Sequence, residues 1–136
     1  METYRSRKLL DYYLETVAVK NDLTLNDVRL LLCLNQPHNS NSRRELADFA
    51  DLPPRSLSMS LQRLSLKGLI KTENGRGKKP LKITFLATSE PILAELSDAQ
   101  VKYEQAIFSD FTEEELIQYA HLNEKIKQNT QKLLSF

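Results

Sequence analysis

The chain has 136 residues, 19 Lys and Arg against 18 Asp and Glu, and a single Cys. That length suits one domain with a real core, one cysteine excludes an internal disulfide framework and fits a reducing cytoplasm, and no apolar run approaches the roughly 20 residues that cross a bilayer. The N-terminus carries no signal-peptide pattern, and the net charge of +1 gives no hint of a partner until it is divided along the chain.

Residues 1–41 hold five cations and five acids. Residues 42–82 hold ten cations against four acids, and residues 83–136 hold four against nine, so the segments carry 0, +6 and −5. The middle third concentrates the positive field, which is where a polyanion would be met.

In chain order, residues 3–20 read as a helix with Leu10, Tyr13, Leu14 and Val17 at 3–4 spacing. Arg5, Arg7 and Lys8 near its start oppose the macrodipole. Thr24 caps a second, largely buried helix built on Leu25, Val28, Leu31, Leu32 and Leu34. Residues 36–41, with Pro37, form a loop with room for a short third strand.

Ser42 followed by Glu45 is a capping-box pattern, and Leu46, Ala47 and Phe49 supply the apolar side of a short helix. Ala50-Asp51-Leu52 makes a tight connection. Pro53 suits the N-cap and Pro54 the first turn of the next helix, because proline needs no N–H there. Leu57, Leu61 and Leu64 recur on one stripe of that helix, while Arg55, Ser56, Ser58, Met59, Gln62, Arg63 and Lys67 fall off it. Gly68 ends the helix, and two alternating runs, 69–73 and 81–87, flank the turn Asn74-Gly75-Arg76-Gly77-Lys78-Lys79-Pro80. This is a basic-tipped β-hairpin. The fold class expected is therefore mainly α with a small hairpin wing: a winged helix-turn-helix over 22–87, flanked by helices in 1–21 and 88–136.

Ser89-Glu90-Pro91 starts a helix running to about Phe108, and Phe111 to Leu116 combines a Thr112/Glu115 capping box with a Phe111/Leu116 staple. Leu116, Tyr119, Leu122, Ile126 and Leu133 line one face of the last helix. The flanking helices carry more apolar stripe than the winged segment covers, so a second copy of the chain is expected to cover it. A homodimer would set two recognition helices about 34 Å apart, matching a palindromic site in double-stranded DNA.

Along nearly its whole length, in the order of its helices, the chain resembles the MarR family of bacterial transcription regulators. The likeness is carried by 25–34, Ser42-Arg43-Arg44-Glu45-Leu46-Ala47, then Leu57, Leu61, Arg63, Leu64 and Gly68-Leu69-Ile70. The resemblance implies a homodimeric repressor that releases DNA when a small, often aromatic, effector binds between winged segment and dimer helices. Two positions depart from the family pattern. Pro53-Pro54 stands where the family has Ser-Lys, and the short wing lacks the Asp-x-Arg motif, with Arg76 alone able to stand in for its arginine.

Candidate DNA contacts follow from residue chemistry. Arg55 and Arg63 can grip guanine, Gln62 adenine, and Met59 a thymine methyl, with Ser56 and Ser58 beside them. Ser42, Arg43 and Arg44 start a helix that should cross the backbone, and Lys67, Arg76, Lys78 and Lys79 suit phosphates or the minor groove. For Arg63 an internal acid is the competing partner. Cys33 sits in an apolar run and reads as an inert thiol; His38 and His121 lack ligand-spaced neighbours, and Glu113-Glu114-Glu115 fits a first helical turn. No catalytic constellation, cofactor loop or metal motif is visible, so neither enzyme activity nor a cofactor is expected. The rival to a DNA-binding reading is a winged module that serves protein interaction instead.

Overall fold

Several helices begin where a capping side chain accepts from their first amides or a proline removes one of those donors. The computed structural model describes residues 4–38, 40–74 and 79–134. Its elements are α1 (Tyr4–Lys20), α2 (Leu25–Leu34), α3 (Arg43–Ala50), α4 (Pro54–Leu66), β1 (Ile70–Glu73), β2 (Lys82–Phe85), a 3-10 turn (Ala87–Ser89), α5 (Glu90–Ile107) and α6 (Glu113–Leu134).

Thr24 caps α2: its hydroxyl accepts from the Asp27 N–H at 3.1 Å, and the Asp27 carboxylate accepts from the Thr24 N–H at 2.9 Å. Ser42 caps α3 by accepting from the Glu45 N–H at 3.1 Å, while the Glu45 carboxylate reaches the Asn41 N–H at 3.4 Å. Thr112 and Glu115 close a full capping box before α6, at 3.1 and 2.9 Å. Pro53 is the N-cap of α4 and offers no side-chain hydrogen bond, with Pro54 in the first turn. The exits are equally local. Asp22, Asp51 and Gly68 follow α1, α3 and α4 with φ of 54°, 54° and 71°, the left-handed turn that frees a chain from a helix.

The wing pairs antiparallel with Ile70 opposite Phe85 and Glu73 opposite Lys82. Its second strand ends at Phe85, short of the expected 87, because the Leu86 carbonyl turns to accept from the Ser89 hydroxyl at 2.7 Å and starts the 3-10 turn. Among the described residues no third strand forms in 36–41. One rung of it survives, as the Leu81 N–H donates to the Asn41 carbonyl at 2.8 Å.

Leu14 of α1, Leu30 and Leu31 of α2, Leu46 of α3, Leu57 and Leu64 of α4, Ile70 of β1 and Leu96 of α5 meet in one core, each almost fully buried. The apolar side of α3 is Leu46, Ala47 and Ala50; Phe49, expected there, is 41% exposed and stacks on His38 with ring centroids 5.4 Å apart. Ala50 follows Leu46 by four residues and so lies on its line, which leaves Phe49 at the edge of the buried arc. Long helix α1 lies along α5. α6 buries none of its side chains: Leu122, Ile126 and Leu133 all stand in solvent, while Phe108 holds the α5–α6 joint between Phe111 and Tyr119.

Candidate nucleic-acid interface

Helix α4 is amphipathic in the plainest sense. Leu57, Ser60, Leu61 and Leu64 face the core, and Arg55, Ser58, Met59, Gln62, Ser65 and Leu66 face water. At 100° per residue, Arg55, Met59, Gln62 and Leu66 fall on the line opposite the buried one. Ser65 and Leu66 were not among the residues picked from sequence. The spacing held the signal, since Leu66 is four residues beyond Gln62 and seven beyond Met59.

The structure divides the sequence candidates into two groups. Arg43 of α3 comes together with Ser58, Gln62 and Ser65 of α4 and Thr72 of β1 around one open depression of about 510 Å3. Arg44 stands exposed beside it, and among the described residues neither Arg43 nor Arg44 has an ion-pair partner. The Ser42 hydroxyl is used in capping α3. Ser56 is half-buried, and Lys79 is exposed at the far end of the wing turn. Arg76 and Lys78 lie outside the described residues.

Arg63 and Lys67 make the second group, and each is engaged within the fold. Arg63 Nη1 donates to Asp27 Oδ1 at 2.8 Å, and Asp27 is fully buried. Lys67 Nζ donates to the Asp22 carbonyl and lies 3.3 Å from the Asp22 carboxylate. The two cations thus fasten the end of α4 to the start of α2 and to the α1–α2 turn. On the wing, Lys71 lies 2.9 Å from Glu73; its hydrogen bond and charge, with help from Lys82, hold the Glu73 carboxyl below the ordinary range.

Solved structures share this arrangement. A MarR-family transcriptional regulator from Silicibacter pomeroyi matches with a TM-score of 0.76 over 92% of this chain and 84% of that one, at 16% identity. A MarR transcriptional regulator from Methanosarcina mazei Go1 matches at 0.75 over 96% and 87%, with 11% identity. The chain has the MarR fold. No protein-family model matches its sequence, and no curated protein does either. BpsR of Bordetella bronchiseptica, whose DNA binding is regulated by 6-hydroxynicotinic acid, matches at 0.59 over 90% and 88%, with 16% identity.

Within this MarR fold a second concave feature lies between α1, α2 and α3. It encloses about 290 Å3 against Leu10, Leu14, Leu32, Cys33 and Phe49. Two ion pairs rim it, Arg29 with Asp11 and Arg7 with Asp51, the latter at 3.6 Å. Burial pushes the Cys33 thiol above its ordinary range, and the Asp51 charge adds to the shift, so the thiolate is disfavoured there. Among the described residues no three His, Cys, Asp or Glu side chains group to hold a metal, and no helix is long and apolar enough to cross a membrane.

Proposed function

We propose that the chain is a sequence-specific, double-stranded-DNA-binding transcription regulator of the cytoplasm, a homodimeric repressor of MarR type acting on a palindromic operator. The observation that carries this reading is the solvent face of α4. It is cation-led, with Arg55 and Gln62 alongside the exposed Met59 and Leu66, and lies opposite a buried face of Leu57, Ser60, Leu61 and Leu64. It sits beside Arg43 and Arg44, which have no ion-pair partner among the described residues, in the segment of charge +6. The start of α4 supports it further. No side chain caps that helix, so its first amides and the positive end of its dipole are available to a phosphate.

The second copy is argued from α6. A helix of 22 residues that keeps Leu122, Ile126 and Leu133 in water is held in place by something outside its own chain, and an identical helix is the economical answer. The cavity beside Cys33 would take the effector: its apolar wall and arginine rim suit a small aromatic acid, the class to which the effector of BpsR belongs.

The test is duplex binding, followed by fluorescence anisotropy between 50 and 200 mM salt. Phosphate-led binding loses affinity along a straight log–log line, with a slope of roughly −0.9 per phosphate neutralised. Replacing Arg43 and Arg44 together by Ala should flatten that slope by one to two units (about 0.9 per lost contact) without changing sequence preference. A flat salt response of the unaltered protein would overturn the reading.

A further inference from the structure

Read from its start, the outward line of α4 runs Arg55, Met59, Gln62, Leu66: a cation, a thioether, an amide and a branched alkyl group. The line spans about 16 Å, the height of four to five stacked base pairs (~3.4 Å each). Two large apolar side chains on it stand in water, Met59 at 51% exposure and Leu66 at 80%. Met59, Gln62, Arg63 and Leu66 together wall a shallow depression of about 230 Å3.

Met59 in the middle of this line and Leu66 at its end, with Arg55 and Arg43 nearby, suit an apolar counterpart that comes with negative charge around it. Duplex DNA offers one in its major groove, the 5-methyl group of thymine, framed by phosphates. Arg43, Arg44 and Arg55 bring charge with no ion-pair partner among the described residues, and a polyanion supplies the counter-charge along with the methyl groups. The far half of α4 carries no uncommitted cation of its own, because Arg63 and Lys67 are committed to Asp27 and Asp22; the guanidinium beside it is that of Arg43, from α3. What that half still offers is Gln62, whose amide matches adenine through two hydrogen bonds, between two apolar contacts.

We infer that Met59 and Leu66 read thymine methyl groups on either side of an adenine held by Gln62, so that the protein selects duplex rich in A·T pairs beneath the second half of α4. This rests on the DNA-binding reading above and adds to it the class of sequence recognised. Arg55, at the start of the line, is left as the reader for a flanking G·C pair.

The experiment begins with selection of bound fragments from a random duplex pool by the full-length protein. The winning duplex is then made twice, once with thymine and once with deoxyuridine, which lacks only the methyl. Burying one methyl-sized group is worth about fourfold in a binding constant, so two contacts per half-site should cost the uracil duplex more than about tenfold. Met59→Ala and Leu66→Ala alter exposed residues and leave the fold intact; each should shrink the thymine-to-uracil ratio, and the pair should bring it near one. A ratio near one for the unaltered protein, a ratio unchanged in both variants, or a winning sequence rich in G·C would overturn the inference while DNA binding stood; the apolar line would then belong to a protein partner. Failure to enrich any duplex would overturn the DNA-binding reading, and this inference with it.

Discussion

The Asp27–Arg63 pair allows a quantitative test of what fixes α4. Asp27 is fully buried and accepts two hydrogen bonds, from the Thr24 N–H at 2.9 Å and from Arg63 Nη1 at 2.8 Å. Arg63→Ala strands that carboxylate with a single donor. Losing one partner of a buried pair costs about 3–5 kcal/mol, and the lower end applies here because the Arg63 side chain is 32% exposed and the pair is partly screened. Asp27→Asn should cost less, about 2 kcal/mol: the amide keeps one acceptor, and the freed guanidinium can turn to water. The order is the informative part, with loss of the arginine worse than neutralising the acid. Urea unfolding of both variants and of the double variant measures it. The double variant should be more stable than the sum of the singles implies, by about 1–2 kcal/mol. An Arg63→Ala cost below about 0.5 kcal/mol, with strict additivity, would refute the anchoring argument and return Arg63 to the solvated face.

Three further outcomes follow from the geometry. Gly68 ends α4 at φ +71° with open space where a Cβ would go, so Gly68→Ala should cost about 1–2 kcal/mol of unfolding free energy through backbone strain alone, and Gly68→Asn less; equal, negligible costs would count against that turn. Cys33, with its thiol shifted upward, should react with iodoacetamide more slowly than free cysteine at pH 7.5; since the unfolded thiol ionises first, this group's contribution to stability is present below about pH 8.5 and is lost as pH rises further, and faster alkylation or a rise in stability there would contradict the assignment. Leu122→Asp with Ile126→Asp changes exposed positions of α6 and should leave the helical circular dichroism intact while halving the mass in sedimentation equilibrium; an unchanged mass would remove α6 from the dimer contact.

Local chemistry made much of the fold legible. Thr112/Glu115 and Ser42/Glu45 mark helix starts through bonds made within four residues, Pro53-Pro54 and Gly68 mark ends through their own backbone geometry, and the structure places helix ends at those marks. Binary pattern did the same for Leu57, Leu61 and Leu64. Where the pattern was short it misled. Over the eight residues of α3 an aromatic at the edge of the arc looks as apolar as one at its centre, and Phe49 went to solvent. The end of the second strand was hidden too, because Ser89 turns its hydroxyl back to the Leu86 carbonyl and bends the chain before α5 begins. Asp27 shows the deeper limit. In sequence it is an acid in a first helical turn, which capping alone explains; its second partner stands 36 residues away and appears only when α2 and α4 are packed.

That same packing changes how the charge of the middle segment acts. Its ten cations look evenly spread, yet Arg63 and Lys67 are met by acids from before residue 42, and Lys71 by Glu73 next to it. Among the described residues Arg43, Arg44, Arg55, Lys79 and Lys82 have no ion-pair partner, and the three arginines belong to the first two residues of α3 or α4. Of the acids near them in the chain, Asp51 is turned to Arg7 and Glu45 to the amide of Asn41 at the α3 cap. The uncapped start of α4 adds its dipole to the same sign. The unmatched positive charge thus lies at the start of α4 with Arg55 and, through Arg43 of α3, beside Gln62 and Ser65, while the far half of α4 carries no uncommitted cation of its own. A polyanion drawn to this surface is held by cations from α3 and from the start of α4, and Met59, Gln62 and Leu66 are left to discriminate by shape, methyl contact and hydrogen bonds rather than by charge.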